Sequence, residues 1–341
     1  MKAFVMAAGS GTRLRPLTLQ MPKPMVPIAN KPVIEHTIEN LAKHDFTDAV
    51  LNLHLFPETI KNHLGNGKKY GISLHYSLEK KLMGTAGGLK KVEQYFDDTF
   101  VVMSGDGLTN INLMKALSFH KAKKALATIV LKDLDSRFDY GITFTNKNGS
   151  ISKFVEKPSW GEVFASTVNT GIYIIEPKIF EYIPKNKVFD FAKDLWPLLL
   201  KKKLPIFGYK TNEYWADVGN IKEYRKAAND VLKQSIRVNM PAPQVKRHIW
   251  IGKNTTIDKT AKIIAPCIIG NFCIIEKNAT VGPCTTIGNN SKVSMGSKVS
   301  ESILWNNAFV GKNVKLDNCI VGNGAKVSNG ISIYEGTVLN L

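Results

Sequence analysis

Residues 1–24 read MKAFVMAAGSGTRLRPLTLQMPKP, and the way an apolar run enters two glycines decides the fold. Lys2 to Met6 is short, apolar and partly β-branched, the composition of a buried strand. Gly9 and Gly11 follow just past its carboxyl end. In an open α/β sheet that edge is where ligands sit. Without Cβ atoms, backbone N–H groups can converge on an anion at close range. Arg13, Arg15 and Lys23 add three cations to the same loop, with Lys23 held between Pro22 and Pro24. Together these features describe a polyphosphate cradle. A dinucleotide fingerprint needs a glycine or small residue where Leu14 stands, and a P-loop needs Gly-Lys-Ser/Thr, which is absent. An ordinary Gly-rich turn accounts for the glycines but not for the continuation Pro16-x-Thr18 and Pro22-Lys23-Pro24.

Outward from this loop, residues 1 to about 235 alternate between strand-like and helix-like stretches. Lys2–Ala7, Asp48–Leu53, Ser73–Ser77, Phe100–Ser104, Ala127–Leu131 and Gly171–Ile175 read as strands. Pro32–His44, Pro57–Leu64, Thr85–Val92 and Asn112–Lys124 read as helices. The alternation predicts an α/β domain, Rossmann-like, with a mostly parallel sheet covered on both faces.

After Val245 the period becomes six. Apolar residues recur at Ile251, Ile257, Ile263, Ile269, Ile275, Val281, Ile287, Val293 and Val299. A small residue stands four places later, as at Thr255, Ala261, Cys267, Cys273 and Ala279, and the rhythm shifts by one after Leu304 and again near Val321. This is the hexapeptide pattern of a parallel β-helix, with three hexads to a coil. Cys267 and Cys273 fill the small-residue slot and read as packing residues. The expected division is a catalytic domain over 1–235, a linker over 236–248 marked by Pro241 and Pro243, and a left-handed β-helix over 249–341.

The first half carries further constellations. Leu82-Met83-Gly84-Thr85-Ala86-Gly87-Gly88 is a second glycine-rich turn before a helix. Val101 to Asp106 is an apolar strand that ends in Gly-Asp, which suits a cation bound to phosphates, although an aspartate there also serves as a turn cap. Asp217, in Tyr214-Trp215-Ala216-Asp217-Val218-Gly219, is the natural second carboxylate.

With these motifs in view, the chain resembles the sugar-1-phosphate nucleotidyltransferases, the nucleotide-sugar pyrophosphorylases. The resemblance covers nearly all of residues 1–235, and a β-helix tail is common in that family. It implies that the loop of Ala8, Gly9, Gly11 and Thr12 wraps the triphosphate of a nucleoside triphosphate. Arg13 and Lys23 would act on the phosphates at the reacting centre. Gly84, Thr85 and Gly87 would cup base and ribose. Asp106 and Asp217 would hold Mg²⁺. Gly141, Glu156, Lys157, Asn169 and Lys193 would face the sugar phosphate. The implied reaction is attack of a sugar 1-phosphate on the α-phosphorus, with loss of pyrophosphate. The form of the base loop and the tail look most like the bacterial mannose-1-phosphate guanylyltransferases, with GTP as donor. Glucose-1-phosphate uridylyl- and thymidylyltransferases are close rivals. A catalytically silent regulatory or scaffold relative is the alternative of another class, although such relatives tend to lose the loop cations or the metal carboxylates. The sequence departs from the family pattern at Ser104, Asn112 and Thr170.

Composition sets outer limits. With 46 Lys and Arg against 28 Asp and Glu, the net charge is +18, which suits anionic partners. The lysines are scattered and no nucleic-acid recognition motif accompanies them, so no nucleic-acid partner is expected. Four cysteines without a CxxC pair, in a region nearly free of histidine, argue against zinc. No stretch approaches the ~20 apolar residues of a spanning helix, and no signal-like segment opens the chain, so a soluble cytoplasmic protein is expected. From Ile249 to Leu341 there is no histidine to serve as an acyltransferase base. The tail is instead expected to support homo-oligomers.

Overall fold

The computed structural model describes residues 1–133, 141–156 and 167–340. In chain order these include β1 (Lys2–Met6), β2 (Pro27–Ile28), β3 (Lys31–Pro32), α1 (Val33–Lys43), β4 (Asp48–Leu53), α2 (Pro57–Leu64), β5 (Ser73–Leu78), α3 (Thr85–Lys90), β6 (Phe100–Ser104), β7 (Gly107–Thr109), α4 (Leu113–Lys123), β8 (Ala127–Asp133), β9 (Ile142–Thr145), β10 (Ile151–Val155), β11 (Thr167–Ile175), α5 (Trp196–Lys201), β12 (Ile206–Thr211), β13 (Trp215–Asp217) and α6 (Ile221–Leu232). The chain divides into two compact units. The first comprises Met1–Gly11, Met21–Met25 and Thr37–Asp217; the second comprises Thr12–Gln20, Val26–His36 and Val218–Leu341.

The first unit is built on the sheet that the alternation predicts. β5, β4, β1 and β6 lie side by side and parallel, with Val5 opposite Leu51 on one flank and Met103 on the other. Ala3, Phe4 and Val5 are fully buried, as a strand covered on both faces requires. Because β4 and β6 leave β1 on opposite sides, the carboxyl end of β1 is a topological switch point. β11 joins antiparallel to β6 and also pairs with β8, which pairs parallel with β12. β11 is longer than expected, because its register shifts between Asn169 and Tyr173 and lets pairing continue back to Thr167. Phe96, Phe100 and Phe180 stack in one core layer, and Tyr173, Phe191 and Trp196 form another.

The second unit contains the hexapeptide solenoid. Three ribbons of parallel strands carry the coils, the arrangement of a left-handed parallel β-helix. Ile269, Ile275, Val281, Ile287, Val293 and Val299 fill its core, followed by Leu304, Val310, Leu316, Val321 and Val327. Hydrogen bonds between neighbouring coils span 18 residues early and 17 later, which is the physical origin of the shifted rhythm. Cys267 and Cys273 are buried in the small slot, and burial pushes the Cys267 thiol up to about 12. A ladder of asparagines closes one corner: the side-chain oxygens of Asn271, Asn289 and Asn306 accept from the backbone N–H of Lys253, Asn271 and Asn289.

The second unit also takes in more than residues 249–341. Tyr224 of α6 donates to the Pro27 carbonyl at 2.7 Å and accepts from the Trp305 indole at 3.0 Å. The Asn30 amide donates to the Ile287 carbonyl at 2.8 Å. Helix α6 and the β2–β3 hairpin are therefore bonded to solenoid coils. Within the expected linker, Gln244–Lys246 forms a strand antiparallel to Ile249–Ile251.

His36 gives this unit an acid sensitivity. It is buried, its Nε2 faces the Ile28 carbonyl at 3.1 Å, and its Nδ1 has no partner among the described residues. Burial, helped by the Lys31 cation, pushes its pKa from 6.5 down to about 4. Below pH 6.5 the unfolded chain takes up a proton that the folded one refuses. Stability present above that pH should thus fall as pH drops toward 4, by roughly 3 kcal/mol. His36→Leu should flatten that part of a plot of thermal midpoint against pH. An unchanged slope would assign the acid sensitivity elsewhere.

Candidate functional site

A cavity of about 580 Å³ opens in the first unit at the carboxyl end of β1. Ala8, Gly9 and Ser10 form part of its wall. A Cβ placed on Gly9 would meet nothing within 4 Å, so that backbone faces open space. Gly11 has a φ of +64°, a turn that favours glycine.

A buried polar chain crosses the cavity wall. The Ala7 N–H donates to the Asn52 side-chain oxygen at 2.8 Å, which fixes the orientation of that amide. The Asn52 NH₂ then donates to Glu79 Oε1 at 2.7 Å, and the Met83 N–H donates to Oε2 at 3.0 Å. Glu79 is only 2% exposed, yet both Asn52 and Glu79 line the cavity. Neither stood among the expected site residues. Their signal was faint: one amide inside the apolar strand DAVLNL and one carboxylate after the next strand.

The 84–87 turn is held from outside the cavity. Gly84 has a φ of +74°, and a Cβ there would lie 2.5 Å from the Phe189 carbonyl oxygen. A Cβ on Gly87 would lie 2.8 Å from the Lys187 carbonyl oxygen. The N–H of Gly87 is spent on the Phe189 carbonyl at 2.9 Å. These glycines are thus required by packing on 187–189. Gly84 and Thr85 line the cavity, whereas Gly87 lines another described below. The Thr85 hydroxyl donates to Asp190 Oδ2 at 2.8 Å and accepts from the Phe191 N–H at 2.9 Å. The turn is thereby tied to the segment carrying Lys193, which also lines the cavity.

Asp106 and Asp217 converge although they are far apart in sequence. β13 pairs antiparallel with β7, and Asp217 stands opposite Gly107, the residue after Asp106. Lys23 lies between them, with Nζ 2.5 Å from Asp106 Oδ2 and 3.2 Å from Asp217 Oδ1. Lys23 is 7% exposed. Burial alone would favour its neutral form, but the two carboxylates outweigh burial and raise its pKa. Burial likewise opposes the charge on Asp106, and the Lys23 ammonium, with the Ser104 hydroxyl donating to Oδ1, holds its carboxyl below the usual range.

Gly141, Glu156 and Asn169 also gather in the first unit. The Gly141 carbonyl accepts from the Asn169 N–H at 2.8 Å, and a Cβ on Gly141 would lie 2.7 Å from Glu156 Oε2. The Asn169 NH₂ donates to the Tyr173 hydroxyl at 3.0 Å. Burial raises the pKa of that tyrosine, and the nearby Asp190 and Glu156 carboxylates add to it. Thr12 and Arg13 are exposed on a short turn, Thr12–Leu14, that buries Leu14 and belongs to the second unit. Lys157 lies outside the described residues. The departures from the family pattern have structural roles: Ser104 bonds Asp106, Asn112 caps α4, and Thr170 donates to the Val130 carbonyl.

The Nucleotidyl transferase family matches residues 2–234. The chain belongs to this family. The GMPPB C-terminal domain matches residues 263–340 of the same nucleotidyl transferase. A UTP–glucose-1-phosphate uridylyltransferase of Synechocystis is 35% identical over 94% of this chain and 87% of its own length. A mannose-1-phosphate guanyltransferase of Candida albicans is 32% identical over 99% of this chain and 96% of its own. A crystal structure from Bacillus anthracis, provisionally named a glucose-1-phosphate thymidylyltransferase, superposes with a TM-score of 0.63 at 25% identity. It covers 70% of this chain and 97% of that one. This nucleotidyl transferase therefore works on the family's substrates, a nucleoside triphosphate and a sugar 1-phosphate. Among its described residues no helix is long and apolar enough to cross a membrane.

Proposed function

We propose that the chain transfers a guanylyl group from GTP to mannose 1-phosphate, giving GDP-mannose and pyrophosphate. The observation that carries the choice of base is the buried Glu79 carboxylate on the cavity wall. A carboxylate has about four acceptor positions, and Asn52 and Met83 use two. Guanine presents N1–H and the exocyclic NH₂ side by side, a donor edge that matches a carboxylate. Uracil and thymine present one N–H flanked by two carbonyls, which such a carboxylate repels. A charge-assisted pair in a buried pocket discriminates strongly. For the sugar, support comes from the guanyltransferase relatives.

Glu79→Gln tests the assignment, since an amide keeps the size and supplies a donor. Its kcat/KM with GTP should fall about 10²-fold, with UTP or dTTP gaining in relative terms. An unchanged preference for GTP would place base selection elsewhere.

The reaction we infer forms a bond from the sugar-phosphate oxygen to the α-phosphorus and breaks the bond from that phosphorus to the β-bridging oxygen. The nucleophile is already an anion, so positioning and charge neutralisation set the barrier. Lys23 and Arg13 would neutralise phosphate oxygens, and Glu156, Lys157, Asn169 and Lys193 would orient the sugar phosphate. Two converging carboxylates that already hold one cation, the Lys23 ammonium, suit a small hard metal. Mg²⁺ takes one or two carboxylates and completes its shell with phosphates and water. Asp106 and Asp217 would hold it, and it would supply charge neutralisation on the phosphates. The intact trio of Lys23, Asp106 and Asp217 speaks against a silent scaffold. A cytoplasmic setting is supported by four free cysteines. Assembly through the solenoid belongs to the same proposal, and sedimentation of a monomer alone would contradict it.

A further inference from the structure

A second cavity, of about 540 Å³, shares Glu79 with the candidate active site and is walled by Met83 and Gly87 of the same turn. Lys80, Lys81, Lys90, Lys91 and Lys185 line it, against Glu79 and Glu93. Both acids are already engaged. Glu79 serves Asn52 and the Met83 N–H. Glu93 takes Lys90 at 2.5 Å and Lys185 at 3.4 Å. Lys91 donates to the Leu78 carbonyl, and Lys80 and Lys81 have no acidic partner among the described residues. The Lys90 side chain is only 10% exposed, so one charge is fixed in the wall itself. Lysines gathered in a concavity repel one another and focus a positive field into it. The nucleotidyl transfer described above uses none of these five.

We propose that this cavity is a second anion site, for a small molecule carrying adjacent phosphoryl groups. Lys80, Lys81 and Lys91 supply the charge that its own acids leave uncompensated. Glu79 and the 83–87 turn wall both cavities, so occupancy changes the grip on the nucleotide. That coupling rests on the proposed nucleotide pocket; the binding does not.

Calorimetric titration of the full chain with tripolyphosphate tests the site. Wild type should take up two equivalents per chain. In Lys80→Gln/Lys81→Gln/Lys91→Gln, three changes at exposed positions, one class should weaken at least about tenfold while the other persists. Lys23→Gln should weaken the other class instead. Parallel titrations with inorganic phosphate and GTP separate a polyphosphate site from one for single phosphates or for nucleotides. Uptake by the triple variant equal to that of wild type, in both stoichiometry and affinity, would overturn the proposal. As a second readout, tripolyphosphate should shift KM for GTP in wild type beyond its competition at the active site, and this component should vanish in the triple variant. Binding without that component would overturn the coupling. Neither titration depends on turnover, so failure of the proposed reaction would be seen separately.

Discussion

Lys23→Met is expected to lower turnover by about 10³-fold and, in the same protein, to tighten binding of Mn²⁺ in the absence of nucleotide. Removing one preorganised charge from a reacting centre costs about 10² to 10³ in rate. The second effect follows from where Lys23 lies. Its ammonium fills the gap between Asp106 and Asp217 at 2.5 and 3.2 Å, so a metal entering that gap must displace it. Without the lysine, the two carboxylates converge with its ammonium gone from between them, and a divalent ion takes up that position. Breaking a buried ion pair from one side costs about 3–5 kcal/mol, so the variant should melt earlier than wild type. Mn²⁺ should restore much of that loss. Electron paramagnetic resonance of free Mn²⁺ measures the affinity, expected to rise at least about tenfold for a 1.4 kcal/mol gain. An affinity equal to wild type would show that the ammonium does not hold the metal position.

Gly282→Ala should destabilise the second unit by at least about 3 kcal/mol, the sum of a strained backbone and a steric clash. Gly282 has a φ of +103°, and a Cβ there would lie 1.9 Å from the Ile264 carbonyl oxygen in the coil beneath. That oxygen is backbone, and its coil is fixed by parallel pairing, so neither partner can move without breaking the ladder. Gly330→Ala is the control. It also has a positive φ, +74°, but its Cβ would meet nothing within 4 Å. Backbone strain alone costs about 1–2 kcal/mol. Thermal unfolding of the two variants should separate them clearly. Equal midpoints would mean that the coils relax around the new methyl.

The solenoid was legible because each coil repeats one physical requirement: an inward apolar residue and a small corner residue. Even the slips after Leu304 and Val321 were visible, as coils shortened by one residue. The asparagine ladder has no such local signal, since its partners are backbone groups a full coil away. The glycine loop at 9–11 and the pair Asp106 and Asp217 were legible from residue chemistry at strand ends. What holds that pair together was not: antiparallel pairing of β7 with β13, and Lys23 in the gap, arise from tertiary packing. The glycine-rich pattern at Gly84 and Gly87 points to a ligand, but their tightest neighbours are the carbonyls of Phe189 and Lys187. Asn52 and Glu79 escaped because isolated polar residues in apolar strands carry no period. Helix α6 joins the second unit through Tyr224, one hydroxyl that no hydropathy pattern marks.

The most direct test is pyrophosphate release by the purified protein with Mg²⁺. GTP, UTP, dTTP, ATP and CTP would each be paired with mannose 1-phosphate and glucose 1-phosphate. With either sugar phosphate, GTP should exceed every other nucleotide by about 10²-fold in kcat/KM, the discrimination expected of a buried carboxylate, and mannose 1-phosphate should be the better partner of GTP. Preference for UTP or dTTP would contradict the role given to Glu79. No release from any pair would contradict the proposed reaction itself.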